Sequence, residues 1–520
     1  MAAVPNPLAQ RLLPDLIDAN LRAWPDRTAI IFEDREHSWR DLADHVGGLR
    51  RGLHAAGLRA GDRVAVLDRN SDDYIFLHYA LAASGAAIVP VNMWLRTGEI
   101  AYILGEAAPR FLMVGAEFRE TALAALDELK NKPQLIARGW TAPDALDWED
   151  VVDGPAADLP EPASWEDIHM ILFTSGTTGR PKGAMISHRR TIIDALSTSA
   201  ALGLRRTDRM FCYLPLFHTG AWDYFKLFFL SGGSIVLAPA FEPDAAIAAI
   251  ERHRCTLLFG VPIVLRQMSE SRRWADADMS SVRLLGYGSY DPSDFLDRML
   301  GHFRERGAAG IEVFFPYGLT EGGPFLAISR PGDPLARPDS VGTPVPGVTL
   351  AILDDDDRPL PTGEIGEICA RSAAVMSGYL NRPDETAAAF RNGWLHTGDL
   401  GRFDDEGRLF LVDRKKDMIR TGGENVYAKE VEQALVEHDD VVECAVVGLP
   451  DLDYGEKVVA VVVLRDGAAE DGDALRNFVR GRIAGFKTPR EIHFVAALPK
   501  SNVGKISKVE IKQALTAGGL

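Results

Sequence analysis

The sequence predicts an α/β protein with a large N-terminal domain of two α/β subdomains and a small β-barrel-like unit, followed by a small α+β C-terminal domain. Short apolar strands alternate with amphipathic helices through most of the chain, which is typical of βαβ units around mostly parallel sheets. The composition changes near residue 340 and again near residue 415. A chain of 520 residues is also longer than one hydrophobic core usually supports.

The alternation is clearest in two stretches of the chain, before residue 170 and between Thr191 and Phe315. In the first stretch we expect helices over Leu12–Trp24, Trp39–Ala56 and Tyr74–Ser84, and strands over Thr28–Phe32, Arg63–Leu67 and Ala87–Val91. In the second we expect strands over Met210–Leu214, Ser234–Leu237, Thr256–Phe259 and Val282–Gly286. Two α/β layers within one large domain account for both stretches.

The last third of the chain has a different pattern. Val341–Ala370 is rich in glycine, proline and short β-branched runs, which favours a small, mostly antiparallel β unit. Beyond it we expect helices over Ala428–Glu437 and Asp473–Ile483 and strands over Val441–Gly448 and Lys457–Leu464. The sequence therefore predicts an N-terminal domain of residues 1–413 and a C-terminal domain of residues 417–520, joined by residues 414–416.

Charge and cysteine content narrow the function classes. The chain has 57 basic and 74 acidic residues, a net charge of −17, which disfavours nucleic acid and anionic membranes as partners. Its four cysteines show neither metal-ligand spacing nor a disulfide framework. The sequence has no apolar stretch long enough to span a membrane and no signal-peptide pattern at its start. We expect a cytoplasmic protein.

A glycine-rich segment is the strongest functional motif. An apolar strand leads into TSGTTGRPKG, in which glycines allow close backbone approach and successive amide groups can hold a phosphate. Lys182 adds a positive charge, but its neighbours Pro181 and Gly183 exclude the Walker pattern. The predicted phosphate-binding residues are Thr174, Ser175, Gly176, Thr177, Thr178 and Lys182.

This motif resembles the signature of the adenylate-forming superfamily, which contains acyl-CoA synthetases, peptide-synthetase adenylation domains and luciferases. Further motifs match in the expected order, so the resemblance covers essentially the whole chain. In FFPYGLTEGG, the matching residues are Tyr317 for stacking on adenine, Gly318 beside it, Thr320 for a phosphate and Glu321 for Mg²⁺. The resemblance implies ATP and coenzyme A as co-substrates and Mg²⁺ as cofactor.

Two further positions match the family's ribose contacts. Asp399, in GWLHTGD, matches the aspartate that binds the ribose hydroxyls, and Arg414, in DRKKD, matches the arginine that shares this contact. Without the other motifs, an Asp–Arg pair would be interpreted as an ordinary surface salt bridge. Their place in the series of motifs favours the ribose interpretation.

The resemblance also implies a two-step reaction with a mobile C-terminal domain. Lys505, in PKSNVGK, matches the lysine that assists adenylate formation, and Lys416 matches the hinge about which the domain rotates. Rotation would bring the glycine-rich GGEN segment beside the pantetheine of CoA. The predicted CoA-binding residues are Gly422, Gly423, Glu424, Phe486 and Arg490, with domain packing as the alternative role for the last two.

The acyl pocket is predicted from two segments. LPLFHTGAWD matches the family segment that gates the acid pocket, with His218 and Trp222 as pocket residues, although His218 could also be an ordinary packed histidine. LGYGSYDPS, with Tyr287, Gly288 and Tyr290, is bulkier than the corresponding run in many relatives. This disfavours a long, open fatty-acyl tunnel.

We therefore expect an AMP-forming acyl-CoA synthetase that converts a monocarboxylic acid first to an acyl-adenylate and then to an acyl-CoA. Lys505, Thr320, Glu321 and His218 are the predicted catalytic residues. A medium- or long-chain fatty acid and an aryl or alicyclic acid remain alternative substrates, and a homodimer is possible. The alternatives are an enzyme that loads a carrier-protein phosphopantetheine, a luciferase-like oxidative enzyme and a non-enzymatic nucleotide-binding protein.

Overall fold

The computed structural model of the chain describes residues 12–155, 164–174, 180–288, 295–329, 340–422, 424–500 and 506–517. The chain divides into two compact units. The first contains Met1–Leu350 and Ala370–Thr397, and the second contains Ala351–Cys369 and Gly398–Leu520. Among the described residues, no helix combines the length and the apolar composition needed to cross a membrane. The four cysteines are buried and form no disulfide bond in the described part of the chain.

The first 155 residues alternate helices and strands as predicted. Their elements are α1 (Asp15–Ala23), β1 (Thr28–Phe32), β2 (Arg35–Ser38), α2 (Trp39–Ala55), β3 (Arg63–Leu67), α3 (Asp72–Ala83), β4 (Ala87–Pro90), α4 (Thr97–Ala107), β5 (Phe111–Gly115), α5 (Arg119–Asp127), β6 (Gln134–Arg138), β7 (Ala145–Asp147) and α6 (Trp148–Val152). Helix α2 begins with a capping box, in which Ser38 and Asp41 exchange backbone and side-chain hydrogen bonds.

The alternation continues to residue 328. The elements are β8 (Ile168–Thr174), β9 (Lys182–Ser187), α7 (His188–Leu202), β10 (Arg209–Cys212), α8 (Thr219–Ser231), β11 (Ser234–Leu237), α9 (Pro243–His253), β12 (Leu257–Gly260), α10 (Pro262–Glu270), β13 (Leu284–Tyr287), α11 (Phe295–Glu305), β14 (Glu312–Phe314), β15 (Pro316–Leu319) and β16 (Gly323–Ile328). Each predicted strand in this region is present within two residues of its predicted ends.

Two seven-stranded sheets organise the first unit. One has the order β7-β6-β5-β3-β4-β8-β9, and the other has the order β14-β13-β12-β10-β11-β1-β2. Both sheets are parallel except at one edge, where β9 runs antiparallel to β8 and β2 runs antiparallel to β1. One continuous apolar core contains residues from both sheets and from helices α2, α3 and α8, including Trp39, Tyr79 and Phe229. The prediction of two α/β layers is confirmed.

A buried ionic contact fixes the start of helix α3. Asp72 accepts a hydrogen bond of 2.8 Å from Arg35, and Nε2 of His37 lies 2.8 Å from its carboxylate. Burial of Asp72 would raise the pKa of its carboxyl group, but the hydrogen bonds with His37 and Arg35 outweigh burial and lower that pKa. The carboxylate is therefore ionised at neutral pH and stabilises the folded state.

Smaller β elements follow residue 340, as predicted for Val341–Ala370. They are β17 (Thr343–Pro344), β18 (Val348–Leu353), β19 (Gly366–Ser372), α12 (Pro383–Ala389), β20 (Phe390–Arg391), β21 (Trp394–Phe403) and β22 (Leu409–Arg414). Strands β15, β16 and β17 form a three-stranded antiparallel sheet. Strands β18, β19, β21 and β20 form a second small sheet, in which β22 pairs antiparallel with β21.

The C-terminal residues have the predicted α+β pattern. Their elements are β23 (Ile419–Thr421), β24 (Glu424–Val426), α13 (Ala428–Val436), β25 (Val441–Asp451), β26 (Gly455–Leu464), α14 (Gly472–Arg480), β27 (Glu491–Phe494) and α15 (Lys508–Thr516). The sheet has the order β24-β23-β26-β25, with β27 beside β26. The predicted α/β fold class with a small α+β C-terminal part is confirmed, whereas the boundary at residues 413–416 stays a prediction.

Candidate active site

The stem of the predicted phosphate loop is an antiparallel hairpin in the first unit. Thr174, the last residue of β8, pairs in register with Lys182, the first residue of β9. The Lys182 ammonium lies 4.6 Å from the centre of the Tyr379 ring, within the range of a cation–π interaction. Four predicted loop residues, Ser175, Gly176, Thr177 and Thr178, lie outside the described residues.

The FFPYGLTEGG segment forms the hairpin of β15 and β16. Glu321 lies at its turn, and its Oε1 atom accepts hydrogen bonds of 2.8 Å from the Tyr379 hydroxyl and 3.2 Å from the Thr174 hydroxyl. Within the described residues, both hydrogen bonds of this carboxylate are to Oε1, so Oε2 is the oxygen available to a ligand. Position 318 has no room for a side chain, because a Cβ atom there would lie 2.3 Å from the Gly323 carbonyl oxygen.

The predicted adenine-stacking residue is largely enclosed by protein. Tyr317 is buried, and its hydroxyl lies 3.3 Å from the hydroxyl of Thr397 in strand β21. This hydrogen bond restrains the orientation of the Tyr317 ring. Tyr317 lies in β15, the first strand of the hairpin that carries Thr320 and Glu321. The structure thus brings Thr174, Tyr317 and Glu321 into one region, while the stacking of Tyr317 on adenine stays a prediction.

A buried cluster of four charged residues was not predicted from the sequence. Arg190 and Asp194 of α7 meet Asp223 and Lys226 of α8, and each residue is about 2% exposed or less. The Lys226 ammonium forms ion pairs with both carboxylates, and the Arg190 guanidinium lies 3.8 Å from Asp223. Arg190 also donates a 3.2 Å hydrogen bond to the carbonyl oxygen of Thr320. The cluster therefore anchors the backbone of the turn that carries Glu321.

Three histidines lie next to this cluster. The ring of His169 lies 5.2 Å from that of His78 and 5.0 Å from that of His188. Burial lowers the pKa of His78 to about 3 and that of His188 to about 4, and it also lowers the pKa of His169. These imidazoles are therefore neutral near pH 7.

Aromatic rings connect helix α8 with the second predicted acyl-pocket segment. Tyr224 of α8 lies 5.9 Å from the ring of Phe259, which in turn fills the space beside Gly288. A Cβ atom on Gly288 would lie 2.4 Å from the Phe259 ring. Tyr287 is buried and contacts Phe315 edge-on, with ring centres 5.6 Å apart. Tyr290 lies outside the described residues.

His218 caps helix α8 and thereby has a defined tautomer. Its Nδ1 atom accepts a 3.1 Å hydrogen bond from the backbone amide of Gly220, so the neutral ring carries its proton on Nε2. The buried Trp222, on the same helix, donates to the carbonyl oxygen of Leu216 at 2.5 Å. Both predicted pocket residues therefore have fixed orientations at the start of α8.

The predicted ribose pair lies in the second unit. Asp399 of β21 and Arg414 of β22 are register partners, and their side chains form a salt bridge of 2.6 Å. Asp399 is buried, whereas the Arg414 side chain is half exposed. Lys416 lies in the short helical turn Lys415–Asp417 that follows. The pair has the geometry of an Asp–Arg ion pair, and its contact with ribose stays a prediction.

The predicted CoA segment is part of the β23–β24 hairpin. Gly422 has a φ of +61°, which favours glycine, and its amide donates to the carbonyl oxygen of Tyr454 at 2.8 Å. Glu424 pairs with Thr421 across the turn, while Gly423 and the predicted catalytic Lys505 lie outside the described residues.

The last two predicted CoA residues have different surroundings. The Arg490 guanidinium lies 3.6 Å from the centre of the Tyr454 ring, so it has a packing partner as well as a charge. The Phe486 side chain is 44% exposed. Both residues are therefore placed in the second unit with surface that a ligand could contact.

Sequence profiles and relatives identify the family. The profile described as AMP-binding enzyme matches residues 17–380, and the one described as AMP-binding enzyme C-terminal domain matches residues 430–505. The feruloyl-CoA synthase of Amycolatopsis sp is 36% identical over 494 residues, covering 95% of this chain and 96% of the relative. The indoleacetate–CoA ligase of Aromatoleum aromaticum is 36% identical over 507 residues, covering 96% and 98%.

Other relatives and solved structures have different acids or acceptors in their names. A fatty acid–acyl-carrier-protein ligase of Streptomyces coeruleorubidus is 33% identical over 506 residues, covering 94% of this chain and 93% of the relative. The amide bond synthetase McbA of Marinactinospora thermotolerans is 32% identical, with a TM-score of 0.83 and coverage of 96% and 99%. An anthranilate CoA ligase solved with anthranoyl-AMP is 28% identical, with a TM-score of 0.86 and coverage of 98% of both chains. The chain belongs to the adenylate-forming superfamily of AMP-binding enzymes, and it is an enzyme of the ligase type that these relatives represent.

Proposed function

We propose that the protein activates a monocarboxylic acid with ATP to an acyl-adenylate, releasing pyrophosphate, and transfers the acyl group to coenzyme A to give acyl-CoA and AMP. The observation that carries the proposal is a contact between the phosphate-loop stem and the adenylate turn, which is the turn between β15 and β16 that carries Thr320 and Glu321. There the Thr174 hydroxyl donates to the Glu321 carboxylate. These two motifs are far apart in the chain, and a common nucleotide site accounts for their contact. The names of the full-length relatives support CoA as acceptor.

In the first step the acid's carboxylate oxygen attacks the α-phosphorus of ATP, a P–O bond forms, and the bond to pyrophosphate breaks. Negative charge on the phosphate oxygens must be met by fixed donors. Lys182, Thr320 and Lys505 would supply them. Glu321 fits a Mg²⁺ site because its Oε2 atom is a hard oxygen ligand turned away from the two donors on Oε1. When bound, Mg²⁺ would neutralise charge on the phosphate groups.

In the second step the CoA thiol gives up its proton to solvent, its sulfur attacks the acyl carbon to form a C–S bond, and AMP leaves with the electron pair of the C–O bond. We propose that Lys416 is the hinge of a rotation that withdraws Lys505 and presents the Gly422–Glu424 segment to pantetheine. Asp399 and Arg414 would hold the ribose through both steps. Their salt bridge gives the pair a defined geometry before the nucleotide binds.

We further propose that the acid carries an aromatic ring on a short chain. The aromatic side chains around Gly288 favour a short pocket that suits a flat ring, since Phe259 fills the space that a Cβ atom on Gly288 would need and Tyr287 is buried next to it in the chain. Relatives named for feruloyl-CoA and indoleacetate have the highest identities reported above. His218 and the indole of Trp222 would border the acid.

The test has two parts. Pyrophosphate release with purified protein would be measured over aryl-propenoic, aryl-acetic, benzoic and C8–C16 fatty acids, and AMP release would then be measured with CoA or with a phosphopantetheinyl carrier protein. We expect the highest kcat/KM with an aromatic acid and turnover with CoA. Preference for a long-chain fatty acid would refute the acid assignment, and AMP release with carrier protein alone would refute CoA as the acceptor.

Lys505→Ala gives a mechanistic test of the two-step scheme. We expect it to abolish pyrophosphate release while sparing thioester formation from a supplied acyl-adenylate. Lys500→Ala is the matched control, since Lys500 forms a 2.9 Å salt bridge with Glu443 and has no role in the proposal. Loss of the second step alone in Lys505→Ala would contradict the role of Lys505. Cytoplasmic location and a homodimer stay predictions from the sequence.

A further inference from the structure

A short segment outside the motifs described above, residues 376–380, contacts both the phosphate-loop stem and the adenylate turn. Residues 376–380 run antiparallel to strand β9, the strand that leaves the phosphate loop. The amide of Met185 donates to the Gly378 carbonyl, the amide of Ser377 donates to the Met185 carbonyl, and the amide of Leu380 donates to the Gly183 carbonyl, all within 2.8–2.9 Å. The segment is therefore fixed to the stem of the phosphate loop by backbone bonds.

The same segment also holds the adenylate turn. The amide of Met376 donates to the carbonyl oxygen of Glu321 at 2.8 Å, and the hydroxyl of Tyr379 donates to its side-chain Oε1 at 2.8 Å. Glu321 is thus held by backbone and side chain from one segment. Its contact with Thr174 at 3.2 Å adds a second donor to the same oxygen.

We propose that Tyr379 is a positioning residue that orients the Glu321 carboxylate toward a divalent metal and the Lys182 ammonium toward the phosphates of ATP. The inference rests on the proposed function, because it assigns Glu321 to the metal. Two donors on Oε1 prevent rotation of the carboxylate about its last bond, so Oε2 keeps one direction. The ring face, 4.6 Å from Lys182, limits the positions of the ammonium in the same way.

The chemical state of Tyr379 suits this role. A carboxylate oxygen accepts hydrogen bonds, so the phenol acts toward Glu321 as the donor. A phenylalanine at this position would retain the ring and lose the donor, whereas a leucine would lose both.

The test compares Tyr379→Phe and Tyr379→Leu with wild type. Mn²⁺ binding in the presence of a non-hydrolysable ATP analogue would be followed by electron paramagnetic resonance, and pyrophosphate release would be measured against Mg²⁺ concentration. We expect Tyr379→Phe to weaken Mn²⁺ binding about tenfold, at the low end of the effect of a hydrogen bond to a charged group. Tyr379→Leu should also weaken binding of the metal-free analogue about threefold, through loss of the contact with Lys182.

Two controls separate this inference from the proposed function. Tyr79→Phe makes the same change at a buried tyrosine whose ring stacks on Phe229, and it should leave Mn²⁺ binding unchanged. Glu321→Gln should weaken Mn²⁺ binding at least as much as Tyr379→Phe. If Glu321→Gln weakens binding and a folded Tyr379→Phe does not, the inference is overturned and the proposed function stands. If neither changes Mn²⁺ binding, the metal assignment of Glu321 fails and the inference fails with it.

Discussion

Replacing Lys226 by methionine should lower the free energy of unfolding by about 3–5 kcal/mol at pH 7.5, the usual cost of leaving a buried charge without its partner. Lys226 is 2% exposed and forms ion pairs with Asp194 and Asp223. In the folded wild type, these two carboxylates are balanced by Lys226 and Arg190. Methionine has a similar volume, so the loss is one of charge rather than packing.

A matched substitution gives the scale of the effect. Lys132→Met removes a lysine from a salt bridge of 2.7 Å with Asp127, but the two side chains are 51% and 79% exposed. Exposed pairs contribute about 0–1 kcal/mol. Urea unfolding of both variants, followed by tryptophan fluorescence, should therefore show a loss several times larger for Lys226→Met.

The pH dependence and a double variant complete the test. Burial raises the pKa of Asp194 even in the wild type, and removal of Lys226 should raise it further. A raised folded-state pKa destabilises the protein at pH values above the unfolded-state pKa, so the deficit of Lys226→Met should shrink as the pH falls from 8 toward 5. Adding Asp194→Asn should recover part of the loss at pH 7.5. A deficit no larger than that of Lys132→Met, with no recovery in the double variant, would refute the balanced-cluster reasoning.

Three further predictions test other parts of the molecule. Asp399→Asn should raise the KM for ATP about tenfold. It should change the free energy of unfolding by less than about 1 kcal/mol, because its partner Arg414 is half exposed. ATP titration and urea unfolding measure the two effects, and an unchanged KM would contradict the ribose role. Gly288→Ala should lower the free energy of unfolding by about 1–3 kcal/mol, because the new Cβ atom would lie 2.4 Å from Phe259. Adding Phe259→Leu should recover part of this loss. If Gly288→Ala alone left the free energy of unfolding unchanged, the close contact would be contradicted. Asp72→Asn should destabilise the protein at pH 7. Its deficit in urea unfolding should shrink as the pH falls below about 5, since the folded-state pKa of Asp72 is lowered and the wild type loses this contribution progressively between the unfolded-state and the folded-state pKa. A deficit that is as large at pH 3 as at pH 7 would have another cause.

Most of the fold could be predicted because local patterns agree with it. Strands such as Thr28–Phe32 and Ser234–Leu237 have the predicted bounds, since each is a short apolar run between turn residues. Helix α3 begins at Asp72 rather than at the predicted Tyr74, because Ser71 caps it by accepting a bond from the Tyr74 amide. Differences of this size come from caps, which apolar periodicity does not reveal.

Residues of the candidate site could be predicted only where they lie within a recognisable sequence motif. Glu321 and Gly318 could be found because FFPYGLTEGG resembles the family's motif. The structure then shows that no side chain fits at Gly318. Tyr379 is 58 residues from Glu321, and Arg190 is 130 residues from Thr320, so neither contact leaves a pattern in the local sequence. The charges of α7 and α8 gave a weak indication, since charged residues in a mostly apolar helix such as α8 require buried partners.

An overall charge of −17 opposes the binding of ATP, itself a polyanion, so the attraction must be local. Three described basic residues near the adenylate turn differ in this respect. Arg190 and Lys226 are neutralised by buried aspartates and serve to hold the adenylate turn. Lys182 instead lies against the uncharged face of Tyr379, an arrangement that orients its ammonium without cancelling its charge. Arg190 and Lys226 thus hold the fold of the adenylate turn. Lys182 forms no salt bridge with a carboxylate of the described residues, so its charge stays available at the stem of the proposed phosphate loop.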